Sequence, residues 1–178
     1  LFFRTIRNIL HRTVLLVAYG AGLRIAEATS LRVDDVDSKR GVLRVRRGKG
    51  QKDRYALLSP RLLEALRSYW RLARPEGPVL FPGIRPDRPV SISAVQRACA
   101  NALRESGIDK HVTPHAFRHC FASLRHESGT DILTVQFLLG HTELSTTARY
   151  LHVSSKVLLA TRSPLDQLDP SAFLPSAV

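Results

Sequence analysis

Apolar residues recur along most of the chain at the spacing that places them on one face of a helix. The first such run ends at Gly20, and we expect a helix to end there because glycine readily adopts the left-handed conformation of a C-cap. The helices predicted from this pattern cover residues 5–19, about 23–32, 59–70, 91–105 and, with breaks at 129 and 140–145, the chain from 113 onward. Helix therefore dominates the predicted fold.

Two stretches break the helical pattern. Residues 41–58 alternate between apolar and polar on both sides of Gly48 and Gly50, which predicts a β-hairpin. Residues 74–90 contain five prolines and two glycines, and we expect a loop there.

Charge narrows the choice of partner. The chain has 27 Lys and Arg against 15 Asp and Glu, a net charge of +12, which favours a polyanion such as nucleic acid or an anionic membrane surface. No apolar run approaches the roughly 18–20 residues that a bilayer requires, and no signal-peptide pattern is present. Cys99 and Cys120 show no disulfide spacing. We therefore expect a cytoplasmic protein that does not bind a membrane.

Candidate chemistry is concentrated at the start of one predicted helix. Thr113 is a suitable N-cap and Pro114 a suitable first residue, so the positive end of the helix dipole lies beside His115 and Arg118. We expect these two side chains to point together, away from a core stripe formed by Phe117, Phe121 and Leu124. Arginine and imidazole at such an end could bind phosphate, although a solvated surface of the helix would show the same residues.

Two later features add candidates. Ile132, Val135 and Leu139 predict a short buried helix that stops before His141. Residues 145–147 (STT) predict the cap of another helix, with Tyr150 to one side of its apolar face. A single tyrosine more often packs than reacts, so its importance depends on its neighbours.

Five segments in order resemble the catalytic domain of tyrosine recombinases of the Xer and phage-integrase type. They are residues 20–27 (GAGLRIAE), 48–54 (GKGQKDR), 113–122 (TPHAFRHCFA), 138–141 (LLGH) and 145–150 (STTARY). His141 follows Arg118 by 23 residues and Tyr150 follows His141 by nine, and the similarity runs from about residue 10 to 153. Each segment is weak evidence by itself, but the ordered set is specific.

The resemblance implies a role for each matching residue. Arg24 and Arg118 would bind the scissile phosphate, and Tyr150 would attack phosphorus to give a 3′-phosphotyrosyl link. His115 would accept the tyrosine proton, and His141 would donate a hydrogen bond to a phosphate oxygen.

Three further positions also match the family. Lys49 would be the general acid for the 5′-oxygen, although Lys52 is only three residues away. Glu27 would orient the helix that carries Arg24, and His119 would support the site through hydrogen bonds.

The family resemblance also implies an architecture, which is an α+β, mainly α domain of the DNA breaking-rejoining type with a small antiparallel sheet. We expect residues 1–153 to form the catalytic domain, without the N-terminal clamping domain of relatives, and residues 154–178 to form a tail that docks on a neighbouring protomer. The alternative for the tail is a disordered end or a segment that folds back on its own domain.

The implied partner is double-stranded DNA. The protein would be a monomer when free and a homo-tetramer, or an assembly of related recombinase subunits, on synapsed DNA. No cofactor, metal or nucleotide is required by this scheme. The hairpin carries six positive charges, which are offset in sequence only by Asp53. Apart from Lys49, the proposed general acid, we expect these basic side chains to contact the DNA backbone: Arg44, Arg46, Arg47, Lys52 and Arg54.

Other functions fit the residues less well. A metal site could use His115, His119 and His141, but a zinc-protease motif would need Glu where Ala116 stands. A nucleotide-phosphate loop at Gly48 lacks the spacing of that motif. A catalytically inactive DNA-binding module and type IB topoisomerase-like relaxation remain as alternatives within the same scaffold.

Overall fold

A computed structural model describes residues 2–46, 53–109, 112–128, 130, 132–139 and 163–169. Its helices are α1 (Phe2–Thr5), α2 (Ile9–Ala21), α3 (Ile25–Thr29), α4 (Pro60–Ala73), α5 (Ile92–Ser106), α6 (Pro114–Glu127) and α7 (Ile132–Leu139). The strands are β1 (Val36–Asp37), β2 (Val42–Val45) and β3 (Arg54–Leu57), and short 3₁₀ helices cover Val33–Asp35 and Pro164–Gln167. The expected α+β class, mainly helical with a small antiparallel sheet, is confirmed.

Helix α2 forms the centre of the fold. Six consecutive residues, 13–18, are buried, because α2 packs against α3, α4, α5 and α6 on different sides. A helix that is surrounded in this way is apolar around most of its circumference. The positions of α3 and α6 relative to each other are therefore set by their shared contact with α2.

The start and end of α2 differ from the sequence prediction. The helix begins at Ile9, where the Asn8 side chain accepts the His11 N–H, and it runs through Gly20 to Ala21. Gly22 is the left-handed C-cap, with φ 65°. The prediction that Gly20 stops the helix is wrong, and its lack of a side chain serves a close contact with the C-terminal segment instead.

The sheet has the order β1-β2-β3, and both pairs are antiparallel. Val42 pairs with Leu57 and Val45 with Arg54, so the predicted hairpin supplies two of the three strands. The third strand, β1, lies beyond the end of the helix predicted for about 23–32, where the sequence predicted no helix or strand. Residues 74–90 contain no helix or strand of the described fold, as predicted, although Phe81 is fully buried.

The described part of the tail packs on its own domain. Ser163 caps the 3₁₀ helix Pro164–Gln167, which contacts α2, α4 and α6, and Leu165 is fully buried. Residues 163–169 thus fold back on their own domain, and docking of the tail on a neighbouring protomer stays a prediction. Within the described residues, no helix has the length and apolarity needed to cross a bilayer.

Candidate active site

Glu27, in the first turn of α3, holds Arg24 in place. One carboxylate oxygen, Oε2, accepts the Arg24 backbone N–H at 2.8 Å, and Oε1 accepts Arg24 Nη1 at 3.2 Å. Arg24 is the N-cap of this helix, and its extended backbone lets the Glu27 side chain reach back to it. The Glu27 side chain is 10% exposed, so its charge acts in a largely desolvated place.

Arg54 reaches the same carboxylate from strand β3. Its Nη2 donates to Glu27 Oε2 at 2.8 Å, and its Nη1 donates to the Leu138 carbonyl of α7 at 3.1 Å. Burial lowers the pKa of Arg54, an effect that Glu27 opposes. Its guanidinium joins the sheet to α3 and α7, and the expected contact of Arg54 with the DNA backbone stays a prediction.

Arg118 completes the group from helix α6. It donates to the Gly22 carbonyl at 2.7 Å and to the Leu139 carbonyl, and Nη1 lies 4.0 Å from Glu27 Oε2. Burial and the nearby charges of Arg24 and Arg54 lower the pKa of Arg118 to about 10, with Glu27 opposing them. The guanidinium is therefore still charged at neutral pH.

The burial of Arg118 corrects one expectation. Arg118 is 4% exposed, whereas we predicted that it would point with His115 away from the core. The buried face of α6 includes Phe117, Arg118, Phe121 and Arg125, while Leu124 is half-buried. Residues 118, 121 and 125 have the spacing of one helical face, which could be recognised from the sequence. A search for apolar residues alone misses this face, because two of its residues are arginines.

We refer to Arg24, Glu27, Arg54 and Arg118 as the Glu27 cluster. Three guanidinium groups share one carboxylate, so the cluster carries two positive charges in excess. The Arg24 side chain is 36% exposed, which leaves the positive charge accessible from solvent on that side. Such an arrangement can bind an anion such as phosphate, two oxygens of which can accept hydrogen bonds from one planar guanidinium group.

The two histidines of the opening motif lie outside this buried group. His115 and His119 are exposed on α6, and their rings meet edge to face with centroids 4.6 Å apart and an interplanar angle of 85°. The expected roles of His115 as proton acceptor and of His119 as a supporting residue stay predictions.

The hairpin carries a second set of arginines, which we name the hairpin pairs. Arg44 donates to Asp53 at 2.7 Å and 3.0 Å, and Arg46 contacts Asp34 at 2.6 Å and Asp35 at 2.5 Å. The sequence suggested that Asp53 alone offsets the basic hairpin. Asp34 and Asp35, which precede β1 and the hairpin, also neutralise part of its charge.

Several predicted residues lie outside the described part of the chain: Lys49, His141, Tyr150, Arg47 and Lys52. Their expected roles stay predictions. Within the residues that the structure describes, no group of three or more His, Cys, Asp or Glu side chains could hold a metal ion.

Sequence reasoning missed the carbonyl groups that position the arginines. Arg118 and Arg54 are held by the carbonyls of Leu139 and Leu138, the last two residues of α7. Helix C-termini leave carbonyl groups without intrahelical partners, so the predicted end of a helix before His141 was a usable signal.

Comparison with known proteins places the chain in a family. The model of the phage integrase family matches residues 3–156. The putative integrase/recombinase y4qK of Sinorhizobium fredii is 48% identical over 174 residues, which is 98% of this chain and 56% of that protein. Tyrosine recombinase XerA of Pyrococcus furiosus is 40% identical over 149 residues, which is 83% of this chain and 51% of that protein. The chain thus spans about half the length of these relatives.

The solved structures that resemble this chain include recombinases, as the sequence relatives do. The crystal structure of XerA recombinase aligns with a TM-score of 0.72 at 30% identity, covering 88% of this chain and 58% of that one. XerH site-specific recombinase bound to its difH substrate has a TM-score of 0.69 at 22% identity, covering 88% of this chain and 49% of that one, a likeness of fold. With most of its length matched by the family model and by relatives of this identity, the chain belongs to the phage integrase family of tyrosine recombinases.

Proposed function

We propose that this chain carries the catalytic centre of a site-specific recombinase, which cleaves and rejoins DNA strands by transesterification. The observation that supports it most is the Glu27 cluster. Arg24 and Arg118, far apart in sequence, lie around one carboxylate with surplus positive charge. That charge suits the scissile phosphate of a DNA strand.

In the proposed reaction the Tyr150 phenolic oxygen attacks phosphorus and forms a new P–O bond. The bond from phosphorus to the 5′-oxygen breaks, which leaves a 3′-phosphotyrosyl link and a free 5′-hydroxyl. His115 accepts the phenol proton, and Lys49 gives a proton to the departing 5′-oxygen. Attack by another 5′-hydroxyl reverses these steps, so one phosphodiester replaces another without ATP.

Arg118 is suited to stabilise the charge that develops on the phosphate oxygens. Its hydrogen bonds to the carbonyls of Gly22 and Leu139 fix the guanidinium before substrate arrives. A donor held in this way needs little reorganisation during the reaction, and loss of one such donor typically costs roughly 100- to 1000-fold in rate. Arg24 would share this role from the more exposed side, and His141 would donate to a phosphate oxygen.

Double-stranded DNA is the proposed partner. The net charge of +12 favours a polyanion, and XerH, a protein of the same fold, is seen bound to its difH substrate. We assign the protein as a monomer when free and as a homo-tetramer, or an assembly with related recombinase subunits, on synapsed DNA. Docking of the tail on a neighbouring protomer would fall to residues of 154–178 other than 163–169, which pack on their own domain.

A nicked suicide substrate tests the reaction, because loss of a short 5′ fragment after cleavage traps the covalent adduct. We expect an adduct on a denaturing gel with the unaltered protein and none with Tyr150→Phe. Tyr55→Phe is the matched control, because Tyr55 is an exposed tyrosine of β3 outside the proposed chemistry. An adduct that persists in Tyr150→Phe at the parental level would remove Tyr150 from the role.

A further inference from the structure

Arg54 is the first residue of strand β3, and its side chain lies largely inside the protein. It is 15% exposed, against 46% for Arg44 on the neighbouring strand. Arg54 pairs with Val45, which is buried, and side chains alternate between the two faces of a strand. Arg54 therefore shares the inner face of the sheet with Val45 and Ala56, whereas Tyr55 lies on the outer face. Its place in the fold differs from that of the exposed basic residues of the hairpin.

Both terminal nitrogens of Arg54 donate to other parts of the protein. Nη2 donates to Glu27 Oε2 at 2.8 Å, and Nη1 donates to the Leu138 carbonyl at 3.1 Å. Leu138 and Leu139 are the last two residues of α7, where helix carbonyls lack intrahelical partners. One planar group thus forms a bridge between α3 and the end of α7, which we call the Arg54 bridge.

Arg118 depends on the groups that the Arg54 bridge joins. Its Nη2 donates to the Leu139 carbonyl, next along the chain from the carbonyl that Arg54 binds. Its Nη1 lies 4.0 Å from Glu27 Oε2, the same oxygen that accepts Arg54 Nη2. The two arginines come from β3 and α6 and meet at adjacent peptide groups of α7. Loss of the bridge would therefore free two groups that fix the Arg118 guanidinium.

A guanidinium suits position 54 better than an ammonium would. Burial lowers the pKa of Arg54 and the charge of Glu27 opposes that effect, yet an arginine keeps its proton in such surroundings. Its planar fork also donates in two directions at once, whereas a lysine carries a point charge. Arg54→Lys therefore loses the link between Glu27 and Leu138.

We propose that Arg54 is a positioning residue, which holds Glu27 and the end of α7 so that Arg118 presents its guanidinium to the scissile phosphate. In this role Arg54 does not contact DNA, which separates it from the backbone contact that the sequence predicts. Misplacement of a catalytic group by about 1 Å can cost roughly 100-fold in rate. The bridge rests on the hydrogen bonds of Arg54, and its effect on the reaction rests on the proposed function.

NMR of the arginine side chains tests the bridge without DNA. Hydrogen bonds restrict rotation of a guanidinium, so we expect separate Nη signals for Arg54 and Arg118 and an averaged signal for Arg67, which is exposed on α4. An averaged signal for Arg54 in the unaltered protein overturns the bridge, whether or not any variant folds. In Arg54→Met and Arg54→Lys, rotation of Arg118 should be roughly tenfold faster. Unchanged rotation of Arg118 in folded variants overturns its dependence on Arg54.

The positioning role is tested with the suicide substrate under single-turnover conditions. At saturating DNA we expect Arg54→Met and Arg54→Lys to slow adduct formation roughly 10- to 100-fold, and Arg67→Met, the control, to keep the parental rate. Added to Arg118→Lys, Arg54→Met should cause no further loss, because Arg54 acts through Arg118. A merely structural role would make the two losses multiply, and that result overturns the positioning role.

The salt dependence of DNA affinity separates positioning from direct contact. Arg54→Met and Arg67→Met each remove one positive charge, and we expect equal slopes of log affinity against log salt. A slope shallower by about 1 in Arg54→Met alone would show that Arg54 contacts a phosphate, and the positioning role would be wrong. If the unaltered protein forms no adduct, the proposed function fails, and the NMR signals alone decide whether the bridge exists.

Discussion

The Glu27 cluster and the hairpin pairs are both rich in arginine, but they use it differently. On the hairpin, Arg44 and Asp53 are paired at the surface, with side chains 46% and 43% exposed. In the Glu27 cluster, three arginines share a single carboxylate that is 10% exposed. The first arrangement nearly neutralises its charge, whereas the second keeps a surplus.

The difference shows what burial does to the same residue type. Exposed ion pairs contribute little because water screens them and the side chains lose entropy. A buried charge network is costly to form and costly to break, and its surplus charge is only weakly screened. The Glu27 cluster is therefore suited to bind a phosphate, and the exposed Arg44–Asp53 pair is suited to solubility and to weak contacts with a DNA backbone.

The largest expected effect comes from removing the shared carboxylate. Glu27→Gln leaves three arginines close together without their counter-charge, and we expect the free energy of unfolding to fall by about 3–5 kcal/mol. Asp53→Asn, which breaks an exposed pair, should cost only about 0–1 kcal/mol. Urea denaturation of both variants measures the difference, and equal losses would erase the distinction between the two regions.

The next effect concerns catalysis. Arg118→Lys keeps a positive charge but cannot reach both carbonyls and present a planar fork, so we expect adduct formation to slow roughly 100- to 1000-fold. Arg44→Lys should cause a far smaller loss, because Arg44 is exposed and paired with Asp53. Single-turnover rates on the suicide substrate test this, and similar losses in both variants would contradict it.

A glycine that supports the Glu27 cluster gives a smaller effect on stability. Gly22 offers its carbonyl to Arg118 and has φ 65°, and a Cβ there would lie 2.7 Å from Phe121 Cδ1. Gly22→Ala should lose about 1–3 kcal/mol from this crowding in addition to the cost of the left-handed backbone.

Gly107→Ala is the matched control for that variant. Gly107 has φ 67°, but a Cβ there would have no neighbour within 4 Å, so only the backbone cost applies. The difference between the unfolding temperatures of the two variants measures the cost of the crowding. Equal decreases in unfolding temperature would mean that Phe121 moves aside without strain.

The smallest expected effect concerns the Arg44–Asp53 pair of the hairpin and the salt dependence of DNA affinity. Asp53→Asn removes the carboxylate that pairs with Arg44, which lets Arg44 contact one more phosphate. The slope of log DNA affinity against log salt should then steepen by roughly 1. Glu105→Gln, at an exposed site on α5, controls for the general change in net charge. Matching slopes in these two variants would show that the Arg44 pair does not limit DNA contact.

Local signals predicted most of the fold. Helices α4 and α5 were predicted to within a few residues because Ser59 and Ser91 cap them and Gly107 follows the second. The hairpin was predicted from alternation alone, and the start of α6 from Thr113 and Pro114. Strand β1 could not be predicted, because a two-residue strand carries no pattern and forms only by pairing with β2.

Less of the candidate site than of the fold could be predicted from residues close together in the sequence. The motif segments singled out Arg24, Glu27 and Arg118, and these three residues lie together in the Glu27 cluster. Arg54 was grouped with the basic hairpin because its sequence neighbours are charged, and only its contact with Glu27 separates it from them. Arg125 had no signal except its position on the face of Arg118 and Phe121.

By itself, the sequence determined most of the helices and the hairpin, the excess of positive charge and the residues that could bind a phosphate. These properties are set by neighbours a few positions apart, through helical periodicity, capping and alternation. The tertiary structure alone decided which arginines are buried, which carboxylate each one meets and where the tail returns. Those outcomes depend on contacts between residues up to 143 positions apart, such as Ser163 with Gly20, and such contacts leave no periodic trace in one chain.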